Sequence, residues 1–247
     1  MGYGPESNHF VVELTYNYGI KSYELGNDFL GITIQSKEII ERAKKNDWAF
    51  EESQGRFVIE APGGYKYNII NEPQSENKDP VKKLTLASSN LEKTIAYWNG
   101  ILGLKILNKA KDIVSLAFDD NQCHLEFKDI GREVNHAKGY GRVAFEVPKA
   151  CLPDIQKKIE DTRNTVLTPL ISLDTPGKAT VSVVILADPV SKVSYFGENI
   201  RDRILMSFNF QDKHEICFVD KEGFGELSAV DPKADAELTK HIKADKS

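Results

Sequence analysis

The chain has 247 residues, of which 40% are hydrophobic and 28% are charged, a mixture that excludes a disordered or fibrous protein. The 37 acidic residues outnumber the 32 lysines and arginines, and the resulting net charge of -5 argues against nucleic acid as the main partner. The longest apolar run, VSVVILA at 181–187, is far shorter than the roughly 18 residues of a membrane span.

The N-terminal sequence, MGYGPESNHF, has neither the basic start nor the apolar stretch of a secretory signal, and we expect no transit peptide in this chain. Glu6 stands where a myristoylation motif requires Ser or Thr. Three cysteines form an odd and sparse set, which favours reduced thiols over a disulfide framework. These features predict a protein of the cytosol or of an organelle matrix.

One pattern of elements recurs along the chain. Its most complete copy, at 81–130, begins with an alternating strand, continues with a helix over 90–103 and ends with three strands joined by short turns. Copies in the same order lie at 28–72 and 139–219, and the segment 9–17 matches the last strand of another copy. The sequence thus predicts βαβββ modules of about 50–60 residues, each too small to bury much core alone.

We expect these modules to associate in sequential pairs. The stretch NEPQSENKDP at 71–80 is polar and contains two prolines, so it indicates a connection between two pairs. The sequence therefore predicts a truncated first domain, a linker, a second domain and a helical C-terminal tail. Their expected bounds are 1–73, 74–80, 81–222 and 223–247.

Several of these segments resemble the vicinal oxygen chelate superfamily, which includes glyoxalase I. The string VVELTYNYGIKSYELGNDF at 11–29 resembles the glyoxalase I segment that carries a metal-ligand glutamate. In the second half, DNQCHLEF and HEICFV are similar to glyoxalase domain-containing proteins. The resemblance covers nearly the whole chain, and it implies an α+β fold in which paired βαβββ modules form two open barrels, the first incomplete.

The resemblance also implies a reaction, the isomerisation of a glutathione hemithioacetal of methylglyoxal to lactoylglutathione. A divalent ion, Zn²⁺ or Ni²⁺, would stabilise the oxygens of the enediolate intermediate as a Lewis acid. A carboxylate would move the proton as general base and then general acid. The implied setting is methylglyoxal detoxification in the cytoplasm or the mitochondrion.

Four metal ligands per barrel are implied by the resemblance, and their positions can be placed on this chain. In the first pair, one position would precede Met1, Glu13 is of ligand type, and Gly31 and Asn68 occupy the other two. In the second pair the positions fall on Lys83, Glu126, Arg142 and Cys217. The candidate metal ligands are therefore Glu13, Glu126 and Cys217, with Glu126 also the candidate catalytic residue.

Each candidate also has a simpler interpretation. Glu13 is equally compatible with a carboxylate that lines a polar cleft, and Cys217 with a small core residue. Lys83 and Arg142 would repel a metal, but together they would form an anion pocket for an acidic ligand without metal. Alternatively, Arg142 would form a buried salt bridge with Glu126. The family's four-ligand geometry is therefore not supported in either pair.

Two functions follow from these alternatives. One is a glyoxalase-type enzyme that acts on a glutathione adduct of a 2-oxoaldehyde. The other is a non-catalytic protein that binds an unknown anionic ligand or a protein partner and has a degenerate metal site. The ligand set favours the second function for this chain.

The last module is longer than the others. Between Pro189 and Asp212 it carries 22 residues, at 190–211, and without them the chain would read ADPDKHEICFV, close to a hairpin of the family. One interpretation is an intron retained in frame, and the other is a natural loop insertion, which would be long for a hairpin. We expect this insert to be a helix or disordered and to lie beside Cys217.

Overall fold

The computed structural model describes residues 1–15, 17, 19–53, 55–74, 78–139, 141–175, 178–188, 190–193, 208–229 and 232–244. Three βαβββ modules follow one another in this part of the chain. The first contains β1 (Phe29–Gln35), α1 (Lys37–Lys45), β2 (Phe50–Ser53), β3 (Arg56–Glu60) and β4 (Lys66–Ile70). The second contains β5 (Val81–Ser88), α2 (Leu91–Ile95), a π-helical turn (Ala96–Ile101), β6 (Lys105–Lys109), β7 (Ile113–Ala117) and β8 (His124–Asp129).

The third module carries the long insert. It contains β9 (Arg142–Val147), a 3₁₀ turn (Lys149–Cys151), α3 (Leu152–Asp161), β10 (Thr165–Asp174), β11 (Thr180–Ala187), β12 (Val190–Val193), β13 (Phe208–Gln211) and β14 (Glu215–Asp220). The C-terminal tail forms two helices, α4 (Lys221–Leu227) and α5 (Ala234–Ala244). No helix of the described residues is long and apolar enough to cross a membrane.

Capping residues explain where the first two helices begin. The side chain of Ser36 accepts a hydrogen bond from the Ile39 amide at the start of α1, and that of Asn90 accepts one from the Lys93 amide at the start of α2. After the π-helical turn, Gly103 has a φ of +88°, a left-handed conformation that suits glycine. The predicted strand–helix–strand boundaries of the module at 81–130 therefore rest on local chemistry.

The strands form two main sheets. The larger has eight strands in the order β2-β3-β4-β1-β5-β8-β7-β6, and the smaller has four in the order β10-β11-β14-β9. In each module the first strand is parallel to the last, as β1 is to β4, β5 to β8 and β9 to β14. The α+β class and the βαβββ modules are confirmed, and neither sheet closes on itself among the described residues, as expected of open barrels.

The pairing of the modules differs from the expectation. The first strands β1 and β5 pair antiparallel, so the modules at 28–72 and 81–130 share one sheet across the stretch 71–80. Among the described residues, the module at 139–219 forms the four-stranded sheet by itself. The repeats look alike in sequence, and repetition alone does not reveal which strand edges meet.

The two sheets share a hydrophobic core on their helix-bearing sides. Trp98 is fully buried there, and its ring lies 5.0 Å from that of Phe127 in the larger sheet and 6.5 Å from that of Phe145 in the smaller one. The ring of Phe118 meets Phe145 edge-on at 5.2 Å. The opposite side of each sheet is called here the open face of that sheet; in the smaller sheet, α4 packs against it.

The insert at 190–211 begins and ends as a hairpin. Its end strands β12 and β13 pair antiparallel from Val190↔Gln211 to Val193↔Phe208. The expected helical or disordered part of the insert, at 194–207, lies outside the described residues.

Candidate active site on the open face of the larger sheet

The open face of the larger sheet is polar because side chains alternate along each strand. In β5 and β8 the residues Leu84, Leu86, Leu125 and Phe127 are buried in the core. The intervening residues, Lys83, Thr85, His124 and Glu126, project from the other face. Pairing of Lys83 with His124 and of Thr85 with Glu126 places these four side chains side by side near the middle of the sheet.

Glu126 is the centre of this group. Its Oε2 accepts a hydrogen bond of 2.6 Å from Nζ of Lys83 and one of 3.2 Å from Oγ of Ser115. Its Oε1 accepts a hydrogen bond of 3.2 Å from Oγ1 of Thr85. The Glu126 side chain is 13% exposed and that of Lys83 is 34% exposed, so the pair is partly shielded from water at a cleft that solvent can enter.

The sheet register shows that the late-strand candidates occupy equivalent places. Asn68 pairs with Thr33, Glu126 with Thr85 and Cys217 with Ala144. These partners belong to the first strand of each module. Each lies two residues after that strand's candidate ligand position, which is Gly31 in the first module, Lys83 in the second and Arg142 in the third. Because the first two modules share a sheet, the four positions on its central strands are Gly31, Asn68, Lys83 and Glu126.

A divalent metal does not fit this set of residues. Gly31 has a φ of +136°, and a Cβ added there would lie 2.8 Å from the carbonyl oxygen of Lys66, so the backbone leaves no room for a ligand side chain. The Lys83 ammonium holds the carboxylate that would bind the ion, and it is itself a cation. No group of three or more His, Cys, Asp and Glu residues converges within the described part of the chain.

The open face of the smaller sheet has a different chemistry. The guanidinium of Arg142 donates hydrogen bonds from Nη2 (2.9 Å) and Nε (3.1 Å) to Oε2 of Glu215 at one end of the face. Cys217 is buried in a cluster with Val181, Val183 and Val219. Burial raises the pKa of the Cys217 thiol, so the thiolate that a metal requires is disfavoured.

The structure does not bring the two cationic candidates together. Lys83 and Arg142 lie in different sheets, and each binds its own carboxylate, so the expectation of a joint anion pocket is wrong. The alternative salt bridge between Arg142 and Glu126 is also wrong, since Glu126 pairs with Lys83 and Arg142 with Glu215. Glu13 is exposed, and its segment forms only an isolated bridge, Gly2↔Val11, in place of the expected strand.

Two family models match the regions that build these sheets. The N-terminal model of glyoxalase domain-containing protein 4 matches residues 31–71, and the glyoxalase domain-containing protein 4-like C-terminal model matches residues 90–199. Glyoxalase domain-containing protein 4 of Mus musculus is 46% identical over 250 residues, which cover 100% of this chain and 76% of the mouse protein. The chain belongs to the glyoxalase domain-containing protein 4 family.

More distant relatives extend this similarity. Glyoxalase 1 of Caenorhabditis elegans is 38% identical over 247 residues, covering 100% of this chain and 79% of that protein. A lactoylglutathione lyase of Arabidopsis thaliana is 30% identical over 120 residues, covering 44% of this chain and 42% of that protein. The crystal structure of glyoxalase I from Zea mays superposes with a TM-score of 0.69 at 21% identity, covering 90% of this chain and 78% of the maize chain. This structural likeness shows that the chain shares the glyoxalase I fold.

This member of the glyoxalase domain-containing protein 4 family also has a buried polar network that the sequence analysis missed. Nδ1 of His136 donates a hydrogen bond to Oδ2 of Asp28 (2.7 Å), and Nε2 donates one to the carbonyl oxygen of Asp212 (2.6 Å). Both ring nitrogens face acceptors, an arrangement that favours the imidazolium because only the protonated ring donates from both. The hydrogen bond to Asp28 raises the pKa of His136; although burial opposes ionisation of Asp28, the bond to His136 holds the pKa of that carboxyl below its usual value.

A second part of the network surrounds Asp188. This carboxylate accepts hydrogen bonds from Nε1 of Trp98 (3.2 Å) and from the amide of His214 (3.1 Å), and burial raises its pKa to about 6. Nε2 of His214 donates to the carbonyl oxygen of Ala87 at 2.8 Å. The network joins the larger sheet to the smaller one. Its two histidines stand in turn-like sequence and their partners are far apart along the chain, so no local signal marks them.

Proposed function

We propose that this chain binds a small anionic ligand, of the glutathione-adduct class, on the open face of the larger sheet. In this proposal Lys83 supplies the positive charge for which the resemblance implies a divalent ion. The observation that carries it is the 2.6 Å contact between Nζ of Lys83 and Oε2 of Glu126. An ammonium in the middle of the four ligand positions takes the place of a metal in the charge balance of the cleft.

The chemistry of the cleft favours an anionic ligand. An ammonium has three N–H donors, and Lys83 uses one of them on Glu126, so the others remain for a carboxylate of the ligand. Glutathione adducts carry carboxylates as well as amides, and Thr85, Ser115 and Asn68 present polar groups of the matching kind on the same face. A charge-assisted hydrogen bond in a partly shielded cleft is stronger than a neutral one.

Isomerisation of a glutathione hemithioacetal is the second candidate function. It is supported by the name of the Arabidopsis thaliana relative, lactoylglutathione lyase, and by its 30% identity. In this chain Glu126 would take the proton from one carbon and return it to the adjacent carbon, and the Lys83 ammonium would stabilise the oxyanion that develops in between. The two groups lie 2.6 Å apart on the same face, which supports joint action on one substrate.

Calorimetric titration with S-lactoylglutathione, in buffer that contains a chelator, tests ligand binding. We expect binding to persist with chelator and to weaken by about tenfold in Lys83→Gln, the loss of one charge-assisted hydrogen bond. The matched control is Lys82→Gln, since the neighbouring ammonium donates to the carbonyl oxygen of Asp79 and takes no part in the group around Glu126. Binding that appears only when Zn²⁺ or Ni²⁺ is added would contradict the proposal.

Thioester formation from glutathione and methylglyoxal separates the two candidates. Turnover in the presence of chelator that is lost in Glu126→Gln would support the isomerase. Binding without turnover would leave the chain as a binding protein.

A further inference from the structure

The hairpin of β12 and β13 is flanked by two buried aspartates at the junction of the two sheets. On the return side, Asp212 is 5% exposed, and its carboxylate accepts hydrogen bonds from the amide and hydroxyl groups of Ser89. Its carbonyl oxygen accepts one of 2.6 Å from Nε2 of His136. On the outgoing side, Asp188 is fully buried and accepts one of 3.1 Å from the amide of His214. Both ends of the hairpin are therefore fixed by polar contacts to other segments of the chain.

The backbone beside one of these contacts is strained. Ala137 and Lys213 have φ of +47° and +53°, and each directly follows one partner of the hydrogen bond between His136 and Asp212. L-amino acids with side chains disfavour this left-handed conformation. The other two described non-glycine residues with positive φ each come one residue after the cap that ends a helix, where this conformation is common. The contact between His136 and Asp212 thus holds a backbone that relaxes once the contact is broken.

Titratable groups from four segments face His136. Asp28 precedes β1 and binds Nδ1 at 2.7 Å, Asp188 follows β11, and Asp212 follows β13. The ring of His214, which precedes β14, meets the His136 ring edge-on at 5.5 Å. The hydrogen bond to Asp28 raises the pKa of His136 most; burial opposes it, and the Asp212 carbonyl and the charge of Asp188 add to it. The surroundings therefore favour the charged ring up to a higher pH than for a histidine in water.

Loss of the proton breaks one of the two contacts of the ring. A neutral imidazole donates from one nitrogen only, and its other nitrogen presents a lone pair. The carboxylate of Asp28 is charged and is the stronger acceptor, so the neutral ring keeps its donor there. Nε2 of His136 then faces the carbonyl oxygen of Asp212 with a lone pair, and the two acceptors repel each other. Asp188, whose pKa burial raises to about 6, also gains its charge as the pH rises, and the charge of Asp212 opposes this ionisation.

We propose that His136 is a pH switch at the base of the hairpin, in which the protonated ring holds Asp212 against the junction of the two sheets and the neutral ring releases it. Histidine suits this role because its charge changes close to physiological pH. Release frees the strained backbone at Ala137 and Lys213, so the connection from β13 to β14 gains mobility while the sheets stay intact. The switch is independent of the function proposed for the open face of the larger sheet.

Amide hydrogen exchange of the full chain, followed by NMR from pH 5.5 to pH 8.5, tests the switch. The reporters are the amides of Ser89 and His214, which donate to the two aspartates, and the reference is the amide of Val184 in the interior strand β11. After correction for intrinsic rates, we expect the protection of the reporters to fall by about tenfold, the loss of one charge-assisted hydrogen bond, and that of Val184 to stay constant. The midpoint should coincide with the titration of the His136 ring protons in the same spectra.

Two variants show whether His136 is responsible. His136→Gln does not titrate, and we expect the fall in protection at the former midpoint to disappear. Asp28→Asn removes the carboxylate that favours the charged ring, so the midpoint should move down by about one pH unit. The matched control is His241→Gln in the exposed helix α5, which should keep the midpoint of the unmodified chain.

Three results would overturn the inference, and two of them need only the unmodified chain. Reporter protection that does not change with pH means that no switch exists. A fall in protection that Val184 shares shows unfolding of the sheets, so that His136 has only a structural role. A fall that persists unchanged in His136→Gln assigns the pH dependence to another group.

Discussion

The open faces of the two sheets are built on one register and differ in chemistry. In the larger sheet, Glu126 at the late-strand position is held by an ammonium and two hydroxyl groups. In the smaller sheet, Cys217 at the same position is surrounded by valines, and Phe224 and Leu227 of α4 pack against this cluster. Equivalent backbones therefore serve as a polar cleft in one place and as a packed apolar layer in the other.

This difference shows that the function of a module lies in a few side chains on one face. Both faces keep the same strand order and the same pairing between the first and last strands. The difference lies in the residue at the late-strand position. It is the hydrogen-bonded carboxylate of Glu126 in the larger sheet and the thiol of Cys217, packed among valines, in the smaller one. A cleft that binds a polar ligand must keep its charges paired, since an unpaired buried charge is costly.

The comparison is tested most severely by placing a charge on each face. Val183→Asp puts a carboxylate among the valines of the smaller sheet, where nothing compensates it, and we expect a loss of several kcal/mol in the free energy of unfolding, about 3–5. Thr33→Asp is the matched control, because Thr33 lies opposite Lys83 in the larger sheet. Urea titration of both variants measures the difference, and equal losses would contradict it.

Removal of the cation from the polar face should have the next largest effect. Lys83→Met leaves the carboxylate of Glu126 with only hydroxyl donors, and we expect a loss of about 1–2 kcal/mol, since the pair is partly exposed. The double variant Lys83→Met with Glu126→Leu should recover most of this loss, because no charge is left unpaired. A double variant no more stable than the single one would show that the ion pair is not what stabilises this face.

The contact between the two sheets should depend on pH through His136. The pKa of its imidazolium is raised, so its stabilising contribution is full below about 6.5, the unfolded value, and is lost as the pH rises through the folded value. In His136→Gln we expect this part of the pH dependence to disappear. Asp188 is present in both proteins, so the difference between their urea midpoints across pH 5 to 9 isolates His136; parallel curves would contradict the assignment.

The smallest expected effect concerns a single hydroxyl group. Ser115→Ala removes one of the hydrogen bonds to Glu126, and we expect a loss of about 0.5–1 kcal/mol because the ammonium and Thr85 remain. Ser182→Ala is the control, since its hydroxyl bonds to that of Ser172 in the smaller sheet. Comparison of the urea midpoints, with and without S-lactoylglutathione, reveals whether Ser115 also contributes to binding.

The modules could be predicted from the sequence, but their association could not. Alternation around Glu126 and the cap at Asn90 are local signals, and both give the correct elements. The pairing of β1 with β5 could not be predicted, because every module has a first strand with a similar edge and the sequence does not show which two edges meet. The partners of His136 are 76 and 108 residues away along the chain, so its burial has no local signal.

The candidate site can be predicted from the sequence only in part, because its side-chain contacts also depend on how the strands pair. The resemblance locates Glu126 and Lys83, and alternation places Glu126 on an open face. Their direct contact depends on the parallel register of β5 and β8, which only the structure reveals. The roles assigned to Glu13 and Cys217 as metal ligands stay predictions, and the apolar surroundings of Cys217 weigh against its role.

The hairpin formed by β12 and β13 has a consequence for protein engineering. Ala187 pairs with Glu215 in the smaller sheet, and Val190 pairs with Gln211 in the hairpin, so the chain leaves the smaller sheet and returns to it at neighbouring points. The cost of closing a longer loop grows only slowly with its length. This position is therefore suited to carry a foreign peptide, such as an epitope tag or a reporter domain, without disturbing the polar cleft.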